Sequence, residues 1–504
     1  MTAHSSQDAL RAAYEAGKGA LVWRESPADL ETPVGAFLKI AHGEPYSFLL
    51  ESVEGGASRG RYSVIGMRPD LIWRCEKGRA ALNRQVLTDA AAFVPEEQGA
   101  LDSLRALLAE IRLDLPPGMP PMAGGLFGYL GYDMVRLMER LPEKNEDVLG
   151  IPEAILMRPT VFLIFDNVRD VMTFVAPAYP AAGVSAEAAF RVAEARLDEA
   201  EAGLARTIPL PARSTGEITL GEPRSNMSRA YFEEMVVRMK EYIAAGDAFQ
   251  VVPSQRFSID FPLPPFALYR ALRRINPAPF LFFLDFGDFS VAGSSPEILV
   301  RLRDGMVTIR PLAGTRPRGA DPEEDKRLEE ELLADPKERA EHLMLLDLGR
   351  NDVGRVAELG SVRVVESFVI ERFSHVMHIS SMVQGRIRPD LDAIDALMAG
   401  FPAGTLSGAP KVRAMEIIEE LEPVRRGLYG GCIGYFAADG TMDTCIGLRT
   451  AIIKDGVMHV QAGGGVVADS QPALEYEESR HKARALFRAA EEAVRFAEAP
   501  RRQG

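Results

Sequence analysis

Cysteine is scarce in this chain. Cys75, Cys432 and Cys445 are the three present in 504 residues. They form no CxxC pair and stand at no spacing to histidine that suits zinc. That excludes a disulfide framework, and buried, inert thiols in a reducing compartment are the expectation. Long apolar runs are missing too. The greasiest stretch, Pro279–Leu284, stops at Asp285, far short of the ~20 residues a membrane-crossing helix needs. Met1–Gly17 holds no apolar h-region, so no secretory signal is read there and a cytoplasmic protein without a membrane partner is expected. Basic residues are outnumbered, 58 Lys and Arg against 72 Asp and Glu, for a net charge of −14. Such a field repels phosphate backbones, so no nucleic acid is expected as a partner. A small anionic substrate stays compatible where a pocket inverts the local sign. HExxH, the P-loop order and a GxGxxG fingerprint are absent.

What is present is ordinary globular composition, 47% hydrophobic and 26% charged. A chain this long holds two or three domains and buries a large core without staples. Leu21 to Val175 reads as short strands with turns, including Ser47–Val53 and Arg61–Met67. A helical pattern over Ser185–Arg206 is followed by Thr207–Asn226, whose three prolines mark the best linker. Ser228 then caps a helix with an apolar stripe of Phe232, Met235, Val236, Met239 and Ile243, ended by Gly246. Strands follow near Phe249–Phe257, Phe280–Phe286, Ser290–Ala292 and Ile298–Leu302. A charged helix spans Pro322–Ala334, breaks at Pro336 and resumes to about Leu348. Strands at Val362–Val369 and His375–Val383 precede a loop and helix at Gly404–Leu421. Strands at Cys432–Ala437, Thr444–Ile453 and Met458–Ala462 lead into a last helix, Pro472 to about Phe496. The fold class expected is α/β of the α+β type, with large antiparallel sheets flanked by helices.

Two helical carboxylate pairs stand out. Glu338 and Glu341 share one helix face, as do Glu475 and Glu478, because residues three apart are neighbours on a helix. Four such carboxylates brought together suit Mg²⁺. Blander readings exist for each: Asp335 with Glu338 makes a capping box, and Glu478 pairs with Lys482 at i+4. Glu341 is harder to dismiss, since it continues a stripe through Leu345 and Leu348 and a carboxylate on an apolar face needs a partner. His375 and His378 alternate on a strand and so face opposite sides. Either could be an acid/base or simply structural. The loop Gly404–Arg413, with Lys411, Arg413 and a first-turn Pro410, suits an anion or merely caps its helix. Pro311–Arg318 concentrates two arginines, for a carboxylate or phosphate ligand or as a solvated basic turn. Gly463–Gly465 follows a strand and permits close backbone approach to a ligand. The residues alone end at an Mg²⁺-assisted enzyme acting on a small polyanion.

Several strings in one order are more specific: Gly246–Arg256, Gly293–Glu297, Pro311–Arg318, Glu341–Met344 with Asp347–Asp352, Gly404–Met415, and Asp469–Lys482. On these the chain resembles the chorismate-utilising enzymes, and within them the large subunits that form anthranilate. Phe48–Ser52 and Gly60–Ser63 look like the tryptophan-sensing region of those subunits. The resemblance implies a regulatory domain over 20–180, a helix and linker over 181–227, and a chorismate-binding catalytic domain over 228–490. It implies Mg²⁺ on Glu341 and Glu478, with Glu338 and Glu475 close behind. Tyr429, Arg449, Gly463, Gly464 and Gly465 would contact chorismate, with Gly314 and Thr315 as a further contact. Glu297 would be the general acid at the C4 hydroxyl, and His378 and Thr405 would belong to the reacting centre, His378 in the elimination step. Ser52 with Pro279, Phe280 and Leu281 would form an inhibitory tryptophan pocket.

The implied reaction adds ammonia at C2 with loss of the 4-hydroxyl, then eliminates pyruvate and aromatises. Relatives that add water look to have a lysine where this chain has Gln250. Relatives that make aminodeoxychorismate, the nearest alternative, have a nucleophilic lysine where it has Ala313. A tryptophan-binding scaffold without activity is the other alternative. The cysteines lack the setting of an amidotransferase nucleophile, so a hetero-oligomer with a separate glutamine amidotransferase subunit delivering ammonia is expected.

Overall fold

The computed structural model describes residues 7–54, 58–208, 218–373 and 375–498. Part of the expected linker, 209–217, and Ser374 lie outside them. Alternating and apolar segments become strands, and among the described residues 21 strands join into one hydrogen-bonded network beside a separate two-stranded pair. The ladders that build the site are antiparallel. Helices cover the faces, so the α+β expectation holds.

The two halves of the chain meet strand to strand. Ser47–Glu54 pairs with Phe280–Asp285, and Gly125–Leu130 pairs with Cys432–Ala437. One buried core likewise mixes Phe37, Leu49 and Ile65 with Leu281, Phe283, Val460 and Leu486. Residues 20–180 therefore share both sheet and core with residues 228–490. The last helix, Pro472–Glu498, buries Ser479, Ala483, Ala489, Ala490 and Ala493. These small side chains let it lie close on the strand Val457–Gly463 and the helix Pro265–Ile275.

Several elements differ from the sequence reading. The first region contains one strand of 19 residues, Ser58–Glu76, and the helices Pro33–Ile40 and Ala100–Glu110. Phe249–Phe257 is interrupted, because Val252–Pro253 separates Gln250–Val251 from Ser254–Asp260. Thr444–Ile453 is two strands, Met442–Ile446 and Thr450–Lys454. The break falls at Gly447–Arg449, where Arg449 takes a left-handed φ of 49° that no strand accommodates. The helix resuming at Pro336 runs on to Val356. Pro410 is the N-cap of the helix Lys411–Leu421 and not within its first turn.

Candidate active site

Asp335 caps the helix Pro336–Val356 by accepting from Lys337 N and Glu338 N. Glu338 does not close a capping box; its Oε1 receives Arg316 Nη1 at 3.0 Å. Glu341, one turn on, receives Gln250 Nε2 at 3.1 Å. Burial raises the Glu341 pKa, and the charges of Glu338 and Glu478 raise it further. Glu475 is raised by burial and by Glu478, and its Oε2 is buried without a hydrogen-bond partner. Glu478 pairs with Lys482 Nζ at 2.7 Å, as the i+4 reading anticipates. The two carboxylate pairs thus feel one another across two helices distant in sequence. Among the described residues, no three His, Cys, Asp or Glu side chains already form a metal cage.

Glycines hold the backbone against this cluster. A Cβ on Gly464 would sit 3.0 Å from Glu478 Oε1 and 3.2 Å from Glu475 Oε2. Gly314 adopts φ +72°, and a Cβ there would meet Glu338 Oε2 at 3.0 Å. Both positions therefore bring main chain to the carboxylates where a side chain would intrude. Gly463 and Gly465 flank Gly464 in the turn leaving the strand Val457–Gly463, and the Tyr429 hydroxyl bonds the Gly463 backbone.

The strand Leu312–Pro317 carries a bulge at Gly314 and sets Thr315 opposite His378 of the strand Val376–Arg386. His378 Nδ1 lies 2.9 Å from the Gly314 carbonyl and 3.0 Å from Thr315 Oγ1. A carbonyl only accepts, so Nδ1 carries the proton and Nε2 keeps its lone pair. That Nε2 is buried and unpartnered. Burial, and the nearby Arg449, push the His378 pKa down to about 4, so the ring is neutral near pH 7. His375, by contrast, is exposed.

Glu297 closes the strand turn after Phe289–Ser295 and is 7% exposed. The Thr405 hydroxyl, on the short helix Gly404–Ser407, lies 3.2 and 3.3 Å from its two carboxyl oxygens, and Leu312 N–H lies 3.4 Å from Oε1. Burial lifts the Glu297 pKa to about 8 despite these bonds and the Arg449 charge. Glu297 is therefore mainly protonated near neutrality. Burial lowers the Arg449 pKa, and among the described residues its guanidinium makes no hydrogen bond or ion pair. It faces a neutral acid and a neutral imidazole, and so is available to an anion.

Two basic loops turn out to be internally paired. Lys411 Nζ is buried on Asp352 at 2.8 Å, and Arg413 pairs with Glu416 and Asp247. Arg316 is shared by Glu331, Asp335 and Glu338, and Arg318 holds Asp325. Neither loop offers a free cation, so the anion reading of each gives way to a structural one. The three cysteines are buried, and burial raises every thiol, that of Cys432 to about 12.

Ser52 lies apart from this centre, opposite Phe280 in register, with its hydroxyl donating to Tyr62 O at 3.1 Å. Phe280 in turn faces Ser295, two residues before Glu297. Pro279 and Leu281 flank that contact along the same chain segment. The sequence reading missed the buried ion pair of Glu422 and Arg426. Arg426 Nη2 lies 2.6 Å from Glu422 Oε1, and the guanidinium also holds Leu406 O and Val252 O at 2.7 Å each. Their i+4 spacing on a chain rich in charge gave no reason to single them out.

A family profile described as chorismate binding enzyme matches residues 56–488. Anthranilate synthase component 1 of Cereibacter sphaeroides is 57% identical over 494 residues, covering 98% of this chain and 99% of that one. The protein of the same name from Pseudomonas putida is 51% identical, covering 92% and 94%. The crystal structure of anthranilate synthase component I from Streptococcus pneumoniae TIGR4 matches with a TM-score of 0.75 at 36% identity, over 92% of this chain and 98% of that one. The menaquinone-specific isochorismate synthase of Escherichia coli, at 20% identity and a TM-score of 0.71, shares the fold. The extent of these matches, together with the clustered carboxylates, the protonated Glu297 and the lone-pair nitrogen of His378, places the chain in the family of chorismate-binding enzymes.

Proposed function

We propose that the chain converts chorismate and ammonia to anthranilate and pyruvate, as a Mg²⁺-dependent lyase fed by a separate glutamine amidotransferase subunit. The observation that carries this reading is a buried, protonated Glu297 in one site with the unprotonated Nε2 of His378. The near full-length identity to relatives named anthranilate synthase component 1 supports it. Arg449 and the backbone of Gly463–Gly465 take the enolpyruvyl carboxylate, with Tyr429, Gly314 and Thr315 completing the substrate contacts. Ammonia bonds to C2 as the C4–O bond breaks, and Glu297 hands its proton to the departing hydroxyl, which leaves as water. Thr405 orients that acid. His378 Nε2 then accepts the C2 proton as the C3–O bond breaks and the ring aromatises, and the released enolpyruvate takes up a proton to become pyruvate. General acid catalysis of this kind contributes about 10²- to 10⁴-fold.

Glu341 and Glu478, backed by Glu338 and Glu475, would hold Mg²⁺. The hard oxygen donors fit, and the orphaned Glu475 Oε2 and the raised pKa values of Glu341 and Glu475 support that reading. When bound, the ion supplies Lewis-acid polarisation of the ring carboxylate. Alanine at 313 cannot act as a nucleophile, which favours direct addition of ammonia over the aminodeoxychorismate alternative. The inert thiols are consistent with a glutaminase on another chain and a cytoplasmic setting. Ser52, Pro279, Phe280 and Leu281 would bind tryptophan as inhibitor, relayed along Phe280–Ser295 to Glu297.

The test is anthranilate fluorescence from purified protein with chorismate, ammonium and Mg²⁺, with and without tryptophan. A metal-dependent signal that tryptophan suppresses is expected. Chorismate consumption without anthranilate would overturn the assignment.

A further inference from the structure

Behind Tyr429 lies a second polar cluster that the reaction does not use. Along Ser254–Asp260, alternate residues Ser254, Arg256 and Ser258 stand opposite Gly463, Gln461 and His459 of the neighbouring strand. Arg256, His459 and Gln461 line a cavity of about 20 Å³ with Arg426, Tyr429 and Thr450. One water needs roughly 10–15 Å³, so the cavity admits one small species or two at most.

Arg256 is 4% exposed, and its Nη1 and Nη2 are both buried without a hydrogen-bond partner. The surrounding carboxylates are already engaged. Glu422 receives Arg426 Nε and Nη2 at 2.9 and 2.6 Å and both Ser254 N and Oγ at 2.8 Å. Asp147 Oδ1 receives the N–H groups of Leu149 and Gly150, whose carbonyls hold Lys454 Nζ. His459 is neutral, its pKa pushed down to about 4 by burial and by Arg256 and Lys454. Arg256 and Arg426 are both buried and Glu422 is the buried carboxylate beside them, whereas Lys454 is half-buried and Asp147 exposed; among these described residues one buried positive charge is in excess. A buried charge demands a counter-charge.

We propose that this cavity binds one small monovalent anion of the chloride class on Arg256 Nη1 and Nη2, as a resident counter-ion behind Tyr429. The anion neutralises the Arg256 charge and fixes the floor on which the Tyr429 ring rests.

The test measures the unfolding midpoint of the full chain while sodium gluconate is exchanged for sodium chloride at constant ionic strength. The wild-type midpoint should rise with chloride, and above the dissociation constant it should climb with the logarithm of the chloride concentration, as for any ligand that binds only the folded state. Arg256→Met should show no chloride response. Arg256→Lys keeps the charge but loses the two-pronged donor, and its rise should begin at a chloride concentration at least about tenfold higher. Bromide-soaked crystals should show an anomalous peak at hydrogen-bond distance from Arg256. Should Arg256→Met fail to fold, Arg256→Lys and the bromide peak decide. A wild-type midpoint indifferent to chloride with no bromide peak overturns the proposal, because the cavity then holds water. Equal responses in wild type and Arg256→Met overturn it too. Chloride inhibition competitive with chorismate also overturns it, since Arg256 would then serve a substrate carboxylate.

Discussion

The Thr405 hydroxyl lies 3.2 and 3.3 Å from the two carboxyl oxygens of Glu297, so a four-residue helix aims the most perturbed acid in the site. Thr405→Val removes that bond at nearly constant volume. Turnover of chorismate to anthranilate should fall with little change in KM, because Thr405 acts on the acid rather than on binding. An unchanged kcat would remove Thr405 from the reacting centre.

Glu297→Gln should lower kcat by about 10²- to 10⁴-fold, the usual worth of a general acid. It should also change the pH dependence of stability in a defined sense. The folded carboxyl holds its proton up to about 8, against 4.5 for the ordinary value. That proton's contribution to stability is complete below the unfolded value and is lost as pH rises through the folded one. The wild-type midpoint should therefore decline from pH 5 to pH 9 relative to Glu297→Gln, and thermal melts across that window check it.

With free ammonia held constant, the wild-type rate should fall as pH rises through about 8, where Glu297 ionises. His378 should impose no acid limb above pH 5, because its pKa lies at about 4. A half-maximal acid limb near 6.5 would show that His378 is not in the buried neutral state.

Acid destabilisation should begin near pH 6.5. His342, His378 and His459 are all pushed down to about 4 by burial, so the unfolded chain binds protons that the folded chain refuses between pH 6.5 and 4. Stability therefore rises with pH in that window. His342→Gln should make the slope shallower by one proton, read from urea midpoints at successive pH values.

Gln250→Ala removes the hydrogen bond at 3.1 Å that orients Glu341. If Glu341 holds Mg²⁺, the concentration for half-maximal anthranilate fluorescence should rise about 10- to 100-fold, as for other groups that orient a metal ligand. Wild-type Mg²⁺ dependence in this variant would argue against Glu341 as a ligand.

Removing one partner of the buried Glu422–Arg426 pair should be costly. Arg426→Met should destabilise by about 3–5 kcal/mol, because Glu422 is left buried and uncompensated. The double variant Glu422→Leu, Arg426→Met should be more stable than Arg426→Met alone. Urea unfolding of the three proteins checks the order.

Residue order and spacing set many of the local elements and the cast of residues. The stripe Phe232, Met235, Val236 and Met239 is buried as its spacing requires, and the helix Pro322–Ala334 has the predicted ends. The ordered strings around Glu297, Glu341, Thr405 and Glu478 carried the family, because chemistry ties residue type to position. Tertiary structure decided what those residues are. Glu297 is an acid near neutrality only because strands and a short helix distant in sequence exclude water around it. Burial and the charge of Glu478 raise Glu341 only because two helices, 137 positions apart by those residue numbers, converge. The arginines of Pro311–Arg318 look like ligand groups in sequence, yet folding delivers carboxylates to each of them. Arg256 looks like one polar residue in an alternating strand, yet folding leaves it buried and unpaired. Spacing along the chain reports neighbours within an element, whereas desolvation and long-range charge depend on which elements the fold packs together.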